Sequence, residues 1–342
     1  MKKKKKDLRY LRWLRNKQCK IEKRSRNRKK RKLNKKISLE TGAKLTNDKM
    51  RIVFPERIDL YDSKRCKETL DFFNREYDDV DKYKRGVIFN FSKVKTITLS
   101  GGIILRCFYD FLVSKHIRIE FDGIERGQID HVLYHIGILK KENITVTRKD
   151  ILRWTVKCWN RKETTKKRFG TEIISEIIKT TTGWGEQSEE HKRMYEVIPE
   201  VLFNCIQHAY NDDDSFQLFY LFSGIVDNRY VFCIFDKGMG FKATYEKYRR
   251  SELEINAIHN DGDYIKYSIQ MGSSSIKKLG RGNGLYTLKE NITNLGGQIF
   301  IHSYKGKVAI LPKDKKDKEI QSENRYTLIG SLVQFDVPMT KF

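Results

Sequence analysis

Residues 216–240 read FQLFYLFSGIVDNRYVFCIFDKGMG, and this stretch decides the fold class. Phe216 to Phe222 and Tyr230 to Phe235 are runs of aromatic and β-branched residues, the composition of strands. Gly224 and the Asp227-Asn228 pair supply turn chemistry between them, so the stretch predicts a β-hairpin. The second strand ends in Asp236, and Asp236-Lys237-Gly238-Met239-Gly240 continues as a D-x-G-x-G loop. A carboxylate at a strand end can accept a hydrogen bond from an exocyclic amine, and the glycines let backbone lie flat against a ring. Taken alone, the same five residues also describe an ordinary strand-to-loop turn.

Upstream, Glu200-x-x-x-Asn204-x-x-x-His208-Ala209 sets polar residues at four-residue spacing, one face of a helix. Ile198, Leu202, Cys205, Ile206 and Ala209 fall on the opposite side, which can lie on a sheet. The polar side puts a carboxylate one turn from an amide. Glu200 can take a proton from water or a hydroxyl, and the Asn204 oxygen can ligate Mg²⁺. A plain amphipathic helix with a solvated face has the same pattern. Pro199 predicts that this helix starts close to Glu200 or kinks there. Downstream, Gly280-Arg281-Gly282-Asn283-Gly284-Leu285 opens a predicted helix over Leu285 to Leu295, closed by Gly296-Gly297. Backbone amides ahead of a helix, with Lys277, Lys278 and Arg281 beside them, make an anion site suited to phosphates. The run lacks the Walker spacing, and no short strand leads into it as in a dinucleotide fingerprint. The polar connection of about 40 residues between the two glycine motifs reads as a lid.

In this order, Glu200-Asn204-His208-Ala209, Asp236-x-Gly238-x-Gly240 and Gly280-x-Gly282-x-Gly284-Leu285 resemble the N box and the two glycine boxes of the GHKL superfamily. That superfamily takes in DNA gyrases, heat-shock chaperones, histidine kinases and MutL proteins. Gly330-Ser331, followed by Val333 to Pro338, is similar to the small Gly-Thr motif on its closing strand. The resemblance covers residues 188–342 and implies a two-layer α/β sandwich of Bergerat type with a mostly antiparallel sheet. It implies ATP and Mg²⁺ as ligands, with Glu200 as general base, Asn204 on the metal and Asp236 reading adenine. His208, Gly238, Gly240, Lys277, Gly280, Arg281, Gly282, Gly284, Leu285 and Ser331 would surround the nucleotide. Glu200 and His208 flanking Asn204 look more like anti-sigma-factor serine kinases and ATPases than like histidine kinases. His191, moreover, is followed by Lys192-Arg193, where a phosphoacceptor histidine has an acidic residue. Asn283 stands where the family has a small or aliphatic residue, and the lid is long.

Composition bounds the remainder. The chain has 342 residues, 39% of them hydrophobic, with 19 Phe and 17 Tyr, enough for two cores. Cysteines at 19, 66, 107, 158, 205 and 233 show neither CxxC pairing nor metal-ligand spacing, which predicts reduced thiols in a cytoplasmic protein. With no apolar run of about 18 residues and no apolar signal core, no transmembrane segment is expected. Residues 1–36 carry 20 Lys or Arg against Asp7 and Glu22, hence 18 of the formal net charge of +26. A tail of this density over residues 1–40, disordered or helical, suits nucleic-acid phosphates and predicts steep salt dependence. Leu8, Tyr10, Leu11, Trp13 and Leu14 also suit an interfacial helix on anionic lipid, and a solvated tail without a partner has the same composition.

Residues 50–145 form a second readable block. Gly86 to Phe91 predicts a strand, Ile97 to Leu99 a short continuation, Ser100-Gly101-Gly102 a turn and Ile103 to Ser114 a helix. Ile117 to Phe121 predicts a strand and Ile129 to Leu139 a helix. This βαβα order implies a small α/β layer with a right-handed crossover. It resembles the STAS domain of anti-sigma-factor antagonists, and Ser100 ahead of Gly101 falls at their phosphorylatable serine, which makes it a candidate phosphoacceptor. As a local feature Ser100 is an N-cap for the helix. Residues 146–187 read as a helical or mixed connector. Several functions fit: a Mg-ATP-dependent ATPase or serine/threonine kinase switch working with nucleic acid, an ATP-gated binding or dimerisation module without hydrolysis, a nucleic-acid protein with a structural core, or a histidine-kinase-like signalling protein.

Overall fold

The computed structural model describes residues 49–83, 86–124, 129–140, 155–166, 171–248, 260–270, 284–312 and 318–339. The basic tail lies outside them. From residue 50 the chain runs through β1 (Met50–Val53), β2 (Arg57–Ile58), α1 (Ser63–Asp78), β3 (Val87–Asn90), β4 (Thr96–Ile97), α2 (Leu99–Ser114), β5 (Ile119–Asp122) and α3 (Ile129–His135). β1, β3 and β5 form a parallel sheet in that order, and β2 pairs with β4. Parallel neighbours need a crossover, and α1 and α2 provide the two that are required. Ser100-Gly101-Gly102 is not a turn: all three residues lie in the first turn of α2. The N-cap is Thr98, whose hydroxyl accepts from the Gly101 N–H at 3.4 Å, and not Ser100. The glycine is needed because the Ile58 carbonyl passes 2.1 Å from where a Cβ at 101 would stand.

The chain continues with β6 (Thr155–Asn160), α4 (Arg161–Lys166), α5 (Thr171–Thr182), α6 (Glu189–His208), β7 (Leu218–Val226) and β8 (Arg229–Asp236). It ends with α7 (Gly240–Tyr248), α8 (Asp261–Ser268), α9 (Gly284–Asn294), β9 (Gln298–Leu311) and β10 (Lys318–Pro338). One antiparallel sheet takes the strands in the order β6-β7-β8-β10-β9, so the described residues are mixed α/β with a three-stranded and a two-stranded parallel sheet and one antiparallel sheet. The β7–β8 hairpin turns on Asp227 and Asn228, at φ 49° and 58°, as a two-residue turn with both central residues left-handed requires. Gly224 lies within β7, not in the turn.

Two expectations change. Residues 155–160 are the edge strand of the sheet, pairing with Ser223 to Leu218, so the connector before residue 188 is only partly helical. α6 begins at Glu189, where the Ser188 hydroxyl accepts from the His191 N–H at 3.2 Å. Pro199 is therefore in mid-helix and Glu200 far from its start. The proline removes one hydrogen bond, at the Tyr195 carbonyl, while buried Val197, Ile198, Val201 and Leu202 around it hold the helix to the sheet. α9 ends as expected: Gly296 has φ 67° and the Gly297 N–H reaches back to the Ile292 carbonyl at 2.8 Å.

Both faces of the antiparallel sheet are buried. On one, Phe219, Leu221, Tyr230, Phe232, Ile234, Ile301, Val333 and Phe335 pack with Ile178, Met194, Ile198, Leu202, Leu288 and Ile292 of α5, α6 and α9. On the other, Tyr220, Phe222, Val231, Cys233, Phe235 and Leu332 share a core with Leu70 and Phe73 of α1 and Ile104, Cys107 and Phe108 of α2. α1 and α2 in turn cover the parallel sheet, with the Phe89 and Phe108 rings stacked at 5.9 Å. The layers run sheet, helices, sheet, helices, so the antiparallel sheet belongs to more than a two-layer sandwich. Polar bonds seal the contact: the Tyr220 hydroxyl donates to Asp110 at 3.0 Å and the Asn74 amide to the Thr327 carbonyl at 2.8 Å. Among the described residues no helix is long and apolar enough to cross a membrane.

Each large apolar side chain on the shared face contributes on the order of 1.5–3 kcal/mol by burial. Residues 155–342 produced alone would bare Tyr220, Phe222, Phe235 and Leu332 and are expected to associate or precipitate, whereas residues 50–342 fold as a monomolecular unit. Size-exclusion chromatography and thermal melting check this, and a monomeric 155–342 fragment with a cooperative melt refutes the shared core.

Candidate functional site

Successive residues of a strand point to opposite faces, and the end of β8 uses both. Phe232 and Ile234 face the helices, so Asp236 faces them too, against Cys205 of α6. Asp236 is buried, and its Oδ1 accepts the Gly238 N–H at 2.9 Å while the Cys205 thiol stands 3.7 Å from Oδ2. The Ser331 N–H is a further donor to it. Burial pushes its pKa up from 3.8 to about 6, and the Gly238 N–H, the thiol and the Ser331 N–H oppose that rise without cancelling it.

The rest of the D-x-G-x-G loop is wedged between α6 and the β9–β10 ribbon. A Cβ at Gly238 would stand 2.0 Å from the Ala209 carbonyl, which accepts the Met239 N–H at 2.6 Å. Gly240 opens α7 beside Ser303 and Tyr304 of β9, and the Ser303 hydroxyl accepts the Phe241 N–H at 3.3 Å. Ser303 also donates to the Gly330 carbonyl at 2.9 Å. Gly330 has φ 107°, and a Cβ there would lie 1.9 Å from the Asp236 carbonyl. Only glycine fits. Ser331 is paired in register with Asp236 on one side and Ser303 on the other, its hydroxyl 3.3 Å from that of Ser303.

Along α6, Glu200 is exposed and Asn204 and His208 are half-buried, in line toward the Asp236 loop. Burial, with the charges of Lys247 and Arg161 behind it, lowers the His208 pKa and keeps the ring neutral at pH 7. Thr244 of α7 donates to the His208 carbonyl at 3.3 Å. At the other end, Glu200 Oε2 lies 2.8 Å from where a Cβ at Gly284 would stand, so this carboxylate sits at the amino end of α9. An acid there complements the helix dipole. Leu285 is buried in the helix-side core. α6 and α9 are clamped by Asn291, which accepts from Arg193 at 3.1 Å and donates to Glu196 at 3.2 Å.

One end of the sheet thus gathers Asp236, Gly238, Gly240 and Ser331 with the end of α6, and α6 carries Asn204 and Glu200 on to Gly284. Lys277, Gly280, Arg281 and Gly282 lie outside the described residues. Ser100 is not part of this gathering: it lies in α2, on the other face of the sheet, fully buried and inaccessible to a phosphate donor. Cys205, Ser303, Tyr304 and Asn291 were not foreseen. Cys205 lies on the apolar side of the helix pattern, and β9 carries no motif that marks Ser303 or Tyr304.

Lys237 was also missed. Its side chain turns the other way, onto α1 and α2, with the ammonium 3.1 Å from the Tyr77 ring centre and 4.4 Å from that of Phe111. Burial lowers its pKa to about 8. Lys237, Gly238 and Met239 line an open cavity of about 360 Å³ together with Tyr210, Asn211 and Phe216. A scan of protein-family models finds no match to this chain, and a search of curated proteins finds none either.

The raised Asp236 pKa has a consequence for stability. The folded state holds this proton more tightly than the unfolded chain, so the contribution is fully present below about pH 4 and is lost as pH rises through about 6. In urea denaturation, Asp236→Asn is expected to flatten the fall in stability between these pH values, by up to roughly 3 kcal/mol at pH 7. A variant whose profile parallels that of the natural chain would exclude Asp236 as the titrating group.

Proposed function

We propose that the antiparallel sheet and its helices form a GHKL-type site for Mg-ATP, and that the protein is an ATPase or serine/threonine-type kinase switch. The observation that carries this reading is Asp236: a buried carboxylate at a strand end, facing the helix layer, with Gly238 and Gly330 packed against backbone around it. A carboxylate has about four acceptor positions, and the two N–H donors and one distant thiol here leave capacity for an adenine amine. Asn204 would hold Mg²⁺, which supplies charge neutralisation at the phosphates. Glu200, one turn from Asn204, would take the proton of the attacking water or hydroxyl. The amino end of α9 would face the phosphates with the cationic run at Lys277 and Arg281 before it. Residues 50–145 carry parallel strands with α-helical crossovers, which supports a STAS-like reading of that block.

One observation favours an ATP-gated module without hydrolysis: the Glu200 carboxylate rests against Gly284, and a base held there must swing away before it can meet a nucleophile. Mg-ATP is expected to raise Tm, with affinity falling about tenfold per pH unit below about 6 as Asp236 takes its proton. Glu200→Ala is expected to keep binding and lower turnover at least about 100-fold. Binding with no turnover in the natural chain selects the gated module, and absence of any ATP-dependent Tm shift removes the nucleotide reading.

The charge of residues 1–36 supports a nucleic-acid partner for the tail. Deleting these residues is expected to abolish binding to a mixed-sequence RNA or DNA and its steep salt dependence, measured by fluorescence anisotropy. Unchanged affinity and salt slope would show that the tail is not the binding element.

A further inference from the structure

Lys307 of β9 and Cys66 of α1 are 241 residues apart in sequence and meet across the shared core, Lys307 Nζ donating to Cys66 Sγ at 3.2 Å. Both are buried, at 8% and 1% exposure. Among the described residues the thiol is the one hydrogen-bond partner of this ammonium, which also has the Phe300 ring at 5.8 Å and buried His302 within reach of its charge. A buried cation without an ion-paired carboxylate is costly, and no ion pair of Lys307 is seen among the described residues. Burial raises the Cys66 pKa, and the Lys307 ammonium beside it opposes that rise.

We propose that Cys66 and Lys307 are a modification site, at which dioxygen inserts one oxygen atom between them to give an N–O–S crosslink. The amine loses one N–H bond and the thiol its S–H bond, and an N–O and an O–S bond form. Nitrogen and sulfur give up two electrons each, dioxygen accepts the four, and its second oxygen leaves as water with the two protons released. The atoms are already in contact, so the bridge needs a small further approach of two side chains and no change of backbone. Dioxygen is small and apolar enough to enter a protein core, whereas larger oxidants are held off by the burial of both groups. The bridge ties α1 of the first block to β9 of the second and closes a loop of more than two hundred residues.

The full chain, kept without reductant in oxygen-saturated buffer, is expected to gain the mass of one oxygen less two hydrogens. Proteolysis should give one linked peptide pair containing residues 66 and 307, released by a thiol reductant after denaturation. Cys66→Ser and Lys307→Arg should each abolish the gain, and the crosslinked form should melt on the order of 10 °C higher than the reduced form. Whole oxygen atoms added to Cys66 with residue 307 unlinked, or no change of mass, would overturn the proposal. The mass readout on the natural chain holds even where a variant fails to fold, and it is independent of nucleotide.

Discussion

The structure depends on a sheet whose central strands β7 and β8 have no solvent face. β7 and β8 read as unbroken apolar runs because each strand feeds two cores at once, the helix layer through Phe219, Leu221, Phe232 and Ile234 and the first block through Tyr220, Phe222, Cys233 and Phe235. A sheet clamped from both sides cannot shift register by one residue without driving each set of side chains into the wrong core. The end of β8 is therefore among the best-determined positions in the molecule, and Asp236 is held there with its carboxylate out of water. Gly330 completes the constraint, since β10 can pass this close to the Asp236 carbonyl only with no side chain and with positive φ.

The elements legible in the sequence were those whose cause is local. The Asp227-Asn228 turn, the strand ends at Asp236, the glycine stop of α9 and the strand-helix alternation from Gly86 onward each follow from the residues at that place. Pro199 misled because proline is a local signal and the stability of α6 is not local: Ile198, Val201 and Leu202 bury against the sheet and outweigh one missing hydrogen bond. Ser100 misled for a related reason. It has the chemistry of a cap, but Thr98 has it too, and the approach of Ile58 to Gly101 decides where the helix begins.

What the sequence hid in the site is whatever comes from a distant segment. Asp236, Gly238 and Gly240 announce themselves by spacing, whereas Ser303 and Tyr304 enter only because β9 lies next to β10, a pairing that no turn motif encodes. Two-sided burial was hidden as well. Runs as apolar as Tyr230 to Phe235 fit either a strand between two layers or a strand at the centre of one, and only the docking of α1 and α2 separates these.

Asp236 and Lys237 are neighbours in the chain and belong to different cores. Alternation along the strand sends the first toward α6 and the second between Tyr77 of α1 and Phe111 of α2. The two share one peptide unit, so a shift of the backbone at this point bears on both the carboxylate contacts and the ammonium–ring contacts. Removing a half-buried ammonium from an aromatic contact forfeits on the order of 1 kcal/mol. The D-x-G-x-G loop is thus tied through Asp236 to the helix layer and through Lys237 to α1 and α2.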